Sequence, residues 1–209
     1  MSNGELLINN LSLKFENNII FKDVNLNCSS GSITIIKGKN GSGKTCLLQC
    51  ICSVIPKHFA GIVEGEIALE NSKTHSPSYF GYLMQDPDKQ LCFPFIEEEL
   101  FFGAENLKRD IDDFNTDYEM LLEMFPVLKQ EDIETSELSF GQKKILLFSA
   151  MILKNPLIFL LDEPSAGLSE DYRMKFVDLI LSLKKKGKIL IIAEHETFFD
   201  NIGDATIWM

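Results

Sequence analysis

The sequence predicts an α/β fold with a mostly parallel sheet as its core, an antiparallel β subdomain and a helical subdomain. Short apolar runs recur along the chain, and most of them end in a polar or glycine-rich corner. Runs of this kind, alternating with helical segments, are typical of strands that are buried on both faces of a parallel sheet. With 209 residues, 45% of them apolar, the chain is expected to form a single domain over residues 1–209.

The first 30 residues predict an antiparallel hairpin beside the main sheet. Apolar and polar positions alternate in "LLINNLSLKF" and "IIFKDVNLNCS", and alternation is typical of half-buried strands. Four later apolar runs predict the parallel strands: "SITIIKG" (32–38), "SYFGYLM" (78–84), "LIFLL" (157–161) and "KILIIA" (188–193). The chain ends at "GDATIWM", which follows the predicted last strand.

The segment between the second and third parallel strands is predicted to be helical. Its composition turns acidic from about residue 100 to 137, as in "TDYEMLLEMF", and we predict a helical insertion over about residues 86–155. The apolar stretch "ILLFSAMILKNPLIFLL" is interrupted by Lys154, Asn155 and Pro156. It therefore divides into a helix and a strand, each too short to cross a bilayer.

Composition and charge exclude several classes of function. The formal net charge is −11 and the pI is near 4.8, so no nucleic-acid partner is expected, since such partners need clustered Lys and Arg. The five cysteines include no C-x-x-C pair, which predicts reduced thiols in a cytosolic protein. The N-terminus lacks the basic and apolar regions of a secretory signal.

The stretch "GKNGSGKT", residues 38–45, predicts a phosphate-binding loop (P-loop) and hence a P-loop NTPase-type sheet. It matches G-x-x-x-x-G-K-[ST] between a predicted strand and the apolar helix "CLLQCICSVI". Backbone N–H groups of such a loop turn towards phosphate oxygens. We expect Lys44 to reach the β- and γ-phosphates of a nucleotide and the Thr45 hydroxyl to hold Mg²⁺. The other predicted contacts to the nucleotide in this loop are Gly38, Asn40, Gly41, Ser42 and Gly43.

Three further strand ends carry side chains suited to phosphate chemistry. In "LIFLLDEP", Asp162 is predicted to hold Mg²⁺ through water, and Glu163 is predicted to be the general base. Gln85 can coordinate Mg²⁺ or orient water, and His195 can donate a hydrogen bond to the γ-phosphate. A simple turn, or solvated residues at strand ends, is the alternative for each. The carboxyl ends of parallel strands form one edge where ligands bind, so we expect these side chains to converge.

The stretch "LSFGQKK", residues 138–144, predicts a second anion site at the start of a helix. Ser139 can cap this helix, Gly141 permits close backbone approach, and Gln142 follows in the same motif. Helix N-termini attract anions. Residues 38–45 already supply one phosphate cradle, so the second is expected to close over a nucleotide that another chain binds. This predicts a head-to-tail pair with two nucleotides between the subunits.

The set "GKNGSGKT", "LSFGQ", "LLDEP" and "IAEH", in this order and spacing, resembles the ATP-binding cassette (ABC) ATPases over nearly the whole chain. The resemblance implies hydrolysis of ATP by a paired ATPase. It makes Phe15 similar to the aromatic residue that stacks on adenine, Gln85 to the Q-loop glutamine and His195 to the switch histidine. "LSFGQ" is similar to the family's signature, which completes the partner's site.

Two departures from the family pattern stand out. The family usually has L-S-G-G-Q, and Phe140 replaces the first glycine. In "SAGLS", Ser169 replaces an aspartate that the family uses for communication between its two sites. The second ATPase subunit of the pair is therefore expected to be either the same chain or a different one that supplies the aspartate.

The segment "YLMQDPDKQLCFPFIEEELFFGAENL" resembles the ATPase subunits of energy-coupling factor (ECF) transporters, which power uptake of vitamins and of nickel or cobalt. The resemblance implies docking to a transmembrane subunit at the cytoplasmic face of the cell membrane. Cytoplasmic loops of membrane proteins are rich in Lys and Arg, and an acidic subunit would be steered towards them. A solvated charge run and a turn are the alternative explanation of "EEE" and "DPD".

Other functions remain open at this point. They are the ATPase of another importer or an exporter, a soluble cassette ATPase that acts on the ribosome or DNA, and a small P-loop kinase. A kinase fits poorly, because such enzymes surround the transferred phosphate with arginines and this chain has two, Arg109 and Arg173. No C-terminal extension of the kind that assists pairing in many relatives follows "GDATIWM", so pairing is expected to depend on ATP and the membrane partner.

Overall fold

The computed structural model describes residues 4–16, 18–69, 77–102, 110–130 and 133–209. Its strands are β1 (Glu5–Phe15), β2 (Asn18–Ser29), β3 (Ile33–Lys37), β4 (Ile62–Leu69), β5 (Phe80–Leu83), β6 (Ile158–Asp162), β7 (Ile189–Ala193) and β8 (Ala205–Trp208). Its α-helices are α1 (Lys44–Ile51), α2 (Val54–Lys57), α3 (Ile96–Phe101), α4 (Ile111–Met124), α5 (Phe140–Lys154) and α6 (Glu170–Lys185).

The main sheet is parallel, with the strand order β5-β6-β7-β3-β8. Every residue of β3, β6 and β7 is buried, as expected for strands that are covered on both faces. The four parallel strands that the sequence predicts are β3, β5, β6 and β7, so this part of the prediction is confirmed.

β8 is a fifth parallel strand at the edge of this sheet. The sequence predicts that "GDATIWM" follows the last strand, and this prediction is wrong, because Ala205–Trp208 pairs with β3 and sets Trp208 opposite Lys37. The strand is largely exposed. It therefore lacks the continuous apolar run by which the other strands of the sheet are recognised.

A second sheet is antiparallel, with the order β2-β1-β4. The predicted hairpin is confirmed, since β1 and β2 pair with Leu6 opposite Cys28 and Leu13 opposite Phe21. β4 has no counterpart among the strands predicted from the sequence. Its residues are mostly exposed or half-buried, and Gly65 adopts a φ of +101° beside a bulge in β1.

Helices end where the backbone leaves the helical region. α1 ends at Ile51, before the end of the predicted helix "CLLQCICSVI", and Ser53 then has a φ of +61°. α5 ends at Lys154, and Asn155 takes a left-handed conformation ahead of Pro156, so the predicted division into a helix and a strand is confirmed. α3, α4 and α5 lie between β5 and β6.

In the part of the chain that the structure describes, no helix is both long enough and apolar enough to cross a bilayer.

Apolar side chains cover both faces of the main sheet. On one face α3, α4, α5 and α6 pack against the strands, and on the other face α1 and the antiparallel sheet do so. Phe148 of α5 lies within the first cluster, with its ring stacked on Phe176 at 4.1 Å and edge-on to Phe159 at 6.3 Å. α5 is thereby fixed against both β6 and α6.

We expect Phe148→Ala to lower the free energy of unfolding by about 3–5 kcal/mol, because it removes a fully buried ring and leaves a cavity. Chemical denaturation of the purified protein measures this loss. Met174→Ala on α6, where the side chain is 56% exposed, is the matched control and should cost less than about 1 kcal/mol. Equal losses in both variants would contradict the packing described here.

Candidate active site

The loop at residues 38–45 connects β3 to α1 and borders a cavity of about 400 Å³. Lys44 is buried, and its amine donates hydrogen bonds to the carbonyls of Gly38, at 2.9 Å, and Lys39, at 3.2 Å. Several parts of the chain line the cavity: Ile20, Asn40, Gly41, Gly43, Lys44, Thr45, Cys46, Gln85 and Glu163. Residues from the predicted loop and from two other strand ends thus surround one space.

The loop has the features of a cradle for phosphate. Gly43 has a φ of +100°, and a methyl group there would lie 2.8 Å from Ile20 Cγ2, so the backbone conformation and the available space both require glycine. The Ser42 hydroxyl is buried and has no hydrogen-bond partner among the described residues. A buried donor without a partner is costly, and Ser42 itself does not line the cavity.

Two of the predicted Mg²⁺ ligands are in contact. The Thr45 hydroxyl donates a hydrogen bond to the Asp162 carboxylate at the end of β6. Burial raises the pKa of Asp162, and the hydrogen bond from Thr45 opposes this rise. Mg²⁺ is commonly held by one or two protein oxygens together with phosphate and water, and this pair of oxygen ligands beside the phosphate loop fits that requirement.

The three predicted catalytic residues lie together at the sheet edge. Gln85 Nε2 donates a hydrogen bond to Glu163 Oε2 at 2.8 Å, and His195 Nδ1 lies 3.5 Å from Glu163 Oε1. Gln85 follows β5, Glu163 follows β6 and His195 follows β7. The side chains that follow these three strands therefore converge as predicted.

The backbone of Glu163 is held in an unusual conformation. Its φ is +45°, a region that non-glycine residues seldom adopt and that persists only where the surroundings enforce it. The Glu163 N–H donates to the Ala193 carbonyl at 2.8 Å. The Glu163 carbonyl accepts a hydrogen bond from the amine of Lys144. The peptide groups on both sides of the strained residue are thus fixed.

Two buried charged residues beneath this edge are not among the predicted site residues. Lys144 of α5 is 0% exposed and Glu194 is 1% exposed. Burial lowers the pKa of Lys144 to about 8, opposed by the charges of Glu194 and Glu163. Sequence signals for both exist: Lys144 interrupts the apolar face of a helix, and Glu194 stands between a buried strand and His195.

Glu194 is fully engaged by hydrogen bonds. Its Oε2 accepts from the Ser165 hydroxyl at 2.6 Å, and its Oε1 accepts from the backbone N–H groups of His195, at 3.0 Å, and Glu196, at 3.4 Å. Its Oε1 also lies 3.3 Å from His195 Nδ1. The carboxylate therefore fixes the turn that carries His195.

The start of α5 is built as the sequence predicts. Ser139 Oγ accepts from the Gln142 N–H at 3.3 Å, and Gln142 Oε1 accepts from the Ser139 N–H at 2.8 Å, which forms a capping box. Gly141 faces the carbonyl of Gly167, and a methyl group at Gly141 would overlap with it. Ser139, Gly141 and Gln142 do not line the cavity beside residues 38–45.

Both departures from the expected motifs have a local structural explanation. Ser169 caps α6, because its hydroxyl accepts from the Tyr172 N–H at 3.4 Å; aspartate and serine are both good caps. The Phe140 ring packs against Gly167 and lies 5.1 Å from Lys144 Nζ. The two replacements therefore keep the helix starts of α5 and α6 intact.

Phe15, the predicted adenine contact, does not lie on the wall of this cavity. Its ring is half-buried, and a methyl group at Gly61 would lie 2.9 Å from Phe15 Cε1. Ile20 of β2 lines the cavity instead. Ile20 is absent from the residues predicted from sequence, because nothing distinguishes it from the other apolar residues of the hairpin. A role for Phe15 towards adenine stays a prediction.

The chain is similar to known transporter ATPases. The model of a family described as "ABC transporter" matches residues 21–166. The energy-coupling factor transporter ATP-binding protein EcfA1 of Thermotoga maritima is 29% identical over 195 residues, a match that covers 92% of this chain and 73% of that protein.

Solved structures share the fold. CbiO1 from Clostridium perfringens, described as part of the ABC transporter complex CbiONQ, has a TM-score of 0.78 and 27% identity, and the match covers 100% of this chain and 85% of that one. A structure described as the ATP binding subunit of an ABC transporter has a TM-score of 0.86 at 19% identity, covers 98% of this chain and 85% of that one, and shows the fold alone.

We expect Gly141→Ala to destabilise the protein by about 1–3 kcal/mol, because the new methyl group would overlap with the Gly167 carbonyl. In an unhindered helix the same change would stabilise by about 1 kcal/mol, so the sign of the effect is diagnostic. Denaturant unfolding of both proteins measures it. A gain in stability would contradict the close contact between these two glycines.

Proposed function

This chain belongs to the ABC transporter family, and we propose that it is the ATP-hydrolysing subunit of an ECF-type importer for a vitamin or for nickel or cobalt. ATP hydrolysis and the role of a transporter subunit follow from the family and its relatives. The observation that carries the hydrolytic role is the meeting of Gln85, Glu163 and His195 beside the phosphate loop, and the similarity to EcfA1 and CbiO1 supports the ECF-type role. In the proposed role, closure of an ATP-bound pair moves a transmembrane partner.

Binding of ATP is assigned to the loop at residues 38–45. Backbone N–H groups of the loop and the first turn of α1 would hold the phosphates, and Lys44 would leave the loop carbonyls to contact the β- and γ-phosphates. Thr45 and Asp162, together with Gln85, would hold Mg²⁺, which neutralises charge on the phosphates. The position of Asn40, Gly41, Gly43, Lys44 and Thr45 on the wall of one cavity supports this assignment.

Hydrolysis is assigned to Glu163 as the general base. The oxygen of a water molecule attacks the γ-phosphorus, one of its protons passes to the Glu163 carboxylate, and the bond from phosphorus to the bridging oxygen breaks. The amide of Gln85 holds the carboxylate, with 2.8 Å between Nε2 and Oε2. His195 would stabilise the γ-phosphate by donating a hydrogen bond to it.

The complete site is proposed to form between two ATPase subunits. Ser139, Gly141 and Gln142 stand at the N-terminus of α5 and do not line the chain's own phosphate cavity. That position supports contact with a nucleotide bound by a second subunit, which is either a copy of this chain or another ABC ATPase. If the second subunit is a different chain, it would supply the aspartate that Ser169 replaces here.

Docking to a transmembrane subunit is assigned to a groove between β5, α3 and α5. The groove has a volume of about 140 Å³ and is lined in part by Tyr82, Cys92, Met151 and Phe102; the Phe102 side chain is half exposed. Residues 103–107 of the ECF-like segment lie outside the described residues. The exposed glutamates at the start of α3 suit the Lys- and Arg-rich cytoplasmic loops of a membrane protein, which would place the chain at the cytoplasmic face of the membrane.

We expect Glu163→Gln to slow phosphate release by about 10²-fold or more, because glutamine cannot accept the proton. ATP binding and ATP-dependent pairing should survive in this variant. Lys44→Ala is the contrasting variant, in which binding and pairing are both lost. Turnover by the assembled complex is measured as phosphate release, and pairing is measured by light scattering with and without ATP. Unchanged turnover in Glu163→Gln would remove Glu163 from the role of base.

We expect Phe102→Glu to reduce recovery of the membrane partner by about tenfold or more, because buried aromatic residues dominate interface energies. The measurement is purification of the tagged protein from native membranes in mild detergent, with mass spectrometry of the chains that copurify. Ile111→Glu, at a similarly exposed apolar residue on α4, is the control. Recovery of only soluble chains with the unmodified protein would contradict the importer and favour a cytosolic ATPase.

A further inference from the structure

The amine of Lys144 has no role in the mechanism described so far. Lys144 lies two residues after the predicted signature "LSFGQ", on the buried face of α5, and its side chain is 0% exposed. Burial of an ammonium group is costly unless it is paired and hydrogen-bonded. The buried amine of Lys144 should therefore have specific hydrogen-bonding and charged partners.

The hydrogen bond of this amine goes to the main chain of Glu163. Glu163 has a φ of +45°, which needs enforcement from both sides. Its N–H is held by the Ala193 carbonyl at 2.8 Å. Its carbonyl is held by Lys144 and, more weakly, by the Ala166 N–H at 3.3 Å. Of these hydrogen-bond partners, Lys144 is the one that acts through its side chain. Its removal would leave the Glu163 carbonyl with only the weaker bond from Ala166.

Neighbouring groups hold the amine in place. Burial lowers the pKa of the Lys144 amine to about 8, and the carboxylates of Glu194, Glu163 and Asp162 oppose this lowering. The ring of Phe140, one helical turn before Lys144, covers it with 5.1 Å between the ring centroid and Nζ, a distance suited to a cation–π contact. Phe140 stands where the family usually has glycine. This replacement therefore provides the ring that covers the Lys144 amine.

We propose that Lys144, covered by Phe140, is a positioning residue for hydrolysis that fixes the backbone of Glu163 and thereby aims its carboxylate at the phosphate cavity. The inference rests on the proposed role of Glu163 as base. The first turn of α5 is proposed to contact the nucleotide of the partner subunit, and Lys144 of the same helix is hydrogen-bonded to Glu163 of its own chain. A displacement of α5 during pairing would therefore move the backbone of Glu163.

The first test is steady-state ATP hydrolysis by Lys144→Met in the assembled complex. We expect kcat to fall on the order of 10²-fold, since misplacing a catalytic group by about 1 Å has this effect, while KM and ATP affinity stay unchanged. Lys175→Met on α6 is the matched control, because its amine pairs with the exposed Asp171 at 2.7 Å and the change should leave kcat within about twofold. Lys144→Arg, which keeps charge and donors, should restore part of the rate.

A double-mutant cycle separates positioning from a general loss of structure. If Lys144 acts through Glu163, then Lys144→Met should change the residual rate of Glu163→Gln by less than about threefold. Multiplicative losses in the double variant, or a normal kcat in Lys144→Met, would overturn the inference. Should Lys144→Met fail to fold, Lys144→Gln is read in the same cycle, because its shorter side chain does not reach the Glu163 carbonyl.

The same experiment distinguishes failure of this inference from failure of the proposed function. Loss of activity in Glu163→Gln with normal activity in Lys144→Met leaves the ATPase mechanism intact and removes Lys144 from it. An unmodified complex without ATPase activity, or a fully active Glu163→Gln variant, contradicts the proposed function itself and the inference with it.

Discussion

The pairing of β6 with its two parallel neighbours is the interaction on which the rest of the site depends. Leu83 of β5 lies opposite Leu161, and Asp162 lies opposite Ala193 of β7. This register ends three buried strands at one level, so the polar residues that follow them meet without long connections. A shift by one residue would turn Glu163 towards the other face of the sheet. Burial of apolar strands therefore determines the geometry of the polar groups.

Much of the site could be predicted because its residues stand at fixed offsets from features that are visible in sequence. Gln85, Asp162, Glu163 and His195 each follow a short apolar run, and parallel strands share one carboxyl edge. The helix start at Ser139 could be predicted because its cap and the glutamine that closes the capping box are local in sequence. In each case the deciding interaction lies within a few residues or follows from the sheet class.

The features that could not be predicted depend on distant partners. β4 is mostly exposed and contains Gly65, so its existence depends on pairing with β1, and β8 depends in the same way on β3. Lys144 interrupts the apolar face of α5 in the sequence, but its partner cannot be identified there, since it is a main-chain carbonyl nineteen residues away. Glu194 is similar, because its partners include the Ser165 hydroxyl. Tertiary burial, which local patterns do not encode, gives these residues their roles.

The contact of Phe140 with Gly167 packs the "LSFGQ" motif directly against the "SAGLS" motif. A methyl group at Gly167 would lie 2.6 Å from Phe140 Cδ1, and Gly141 already faces the Gly167 carbonyl. A phenylalanine at position 140 therefore adds a steric restriction at position 167, which glycine at 140 would relieve. Gly167 also has a φ of +76°, which by itself disfavours a side chain, so two independent constraints, the backbone and the Phe140 ring, hold this position to glycine.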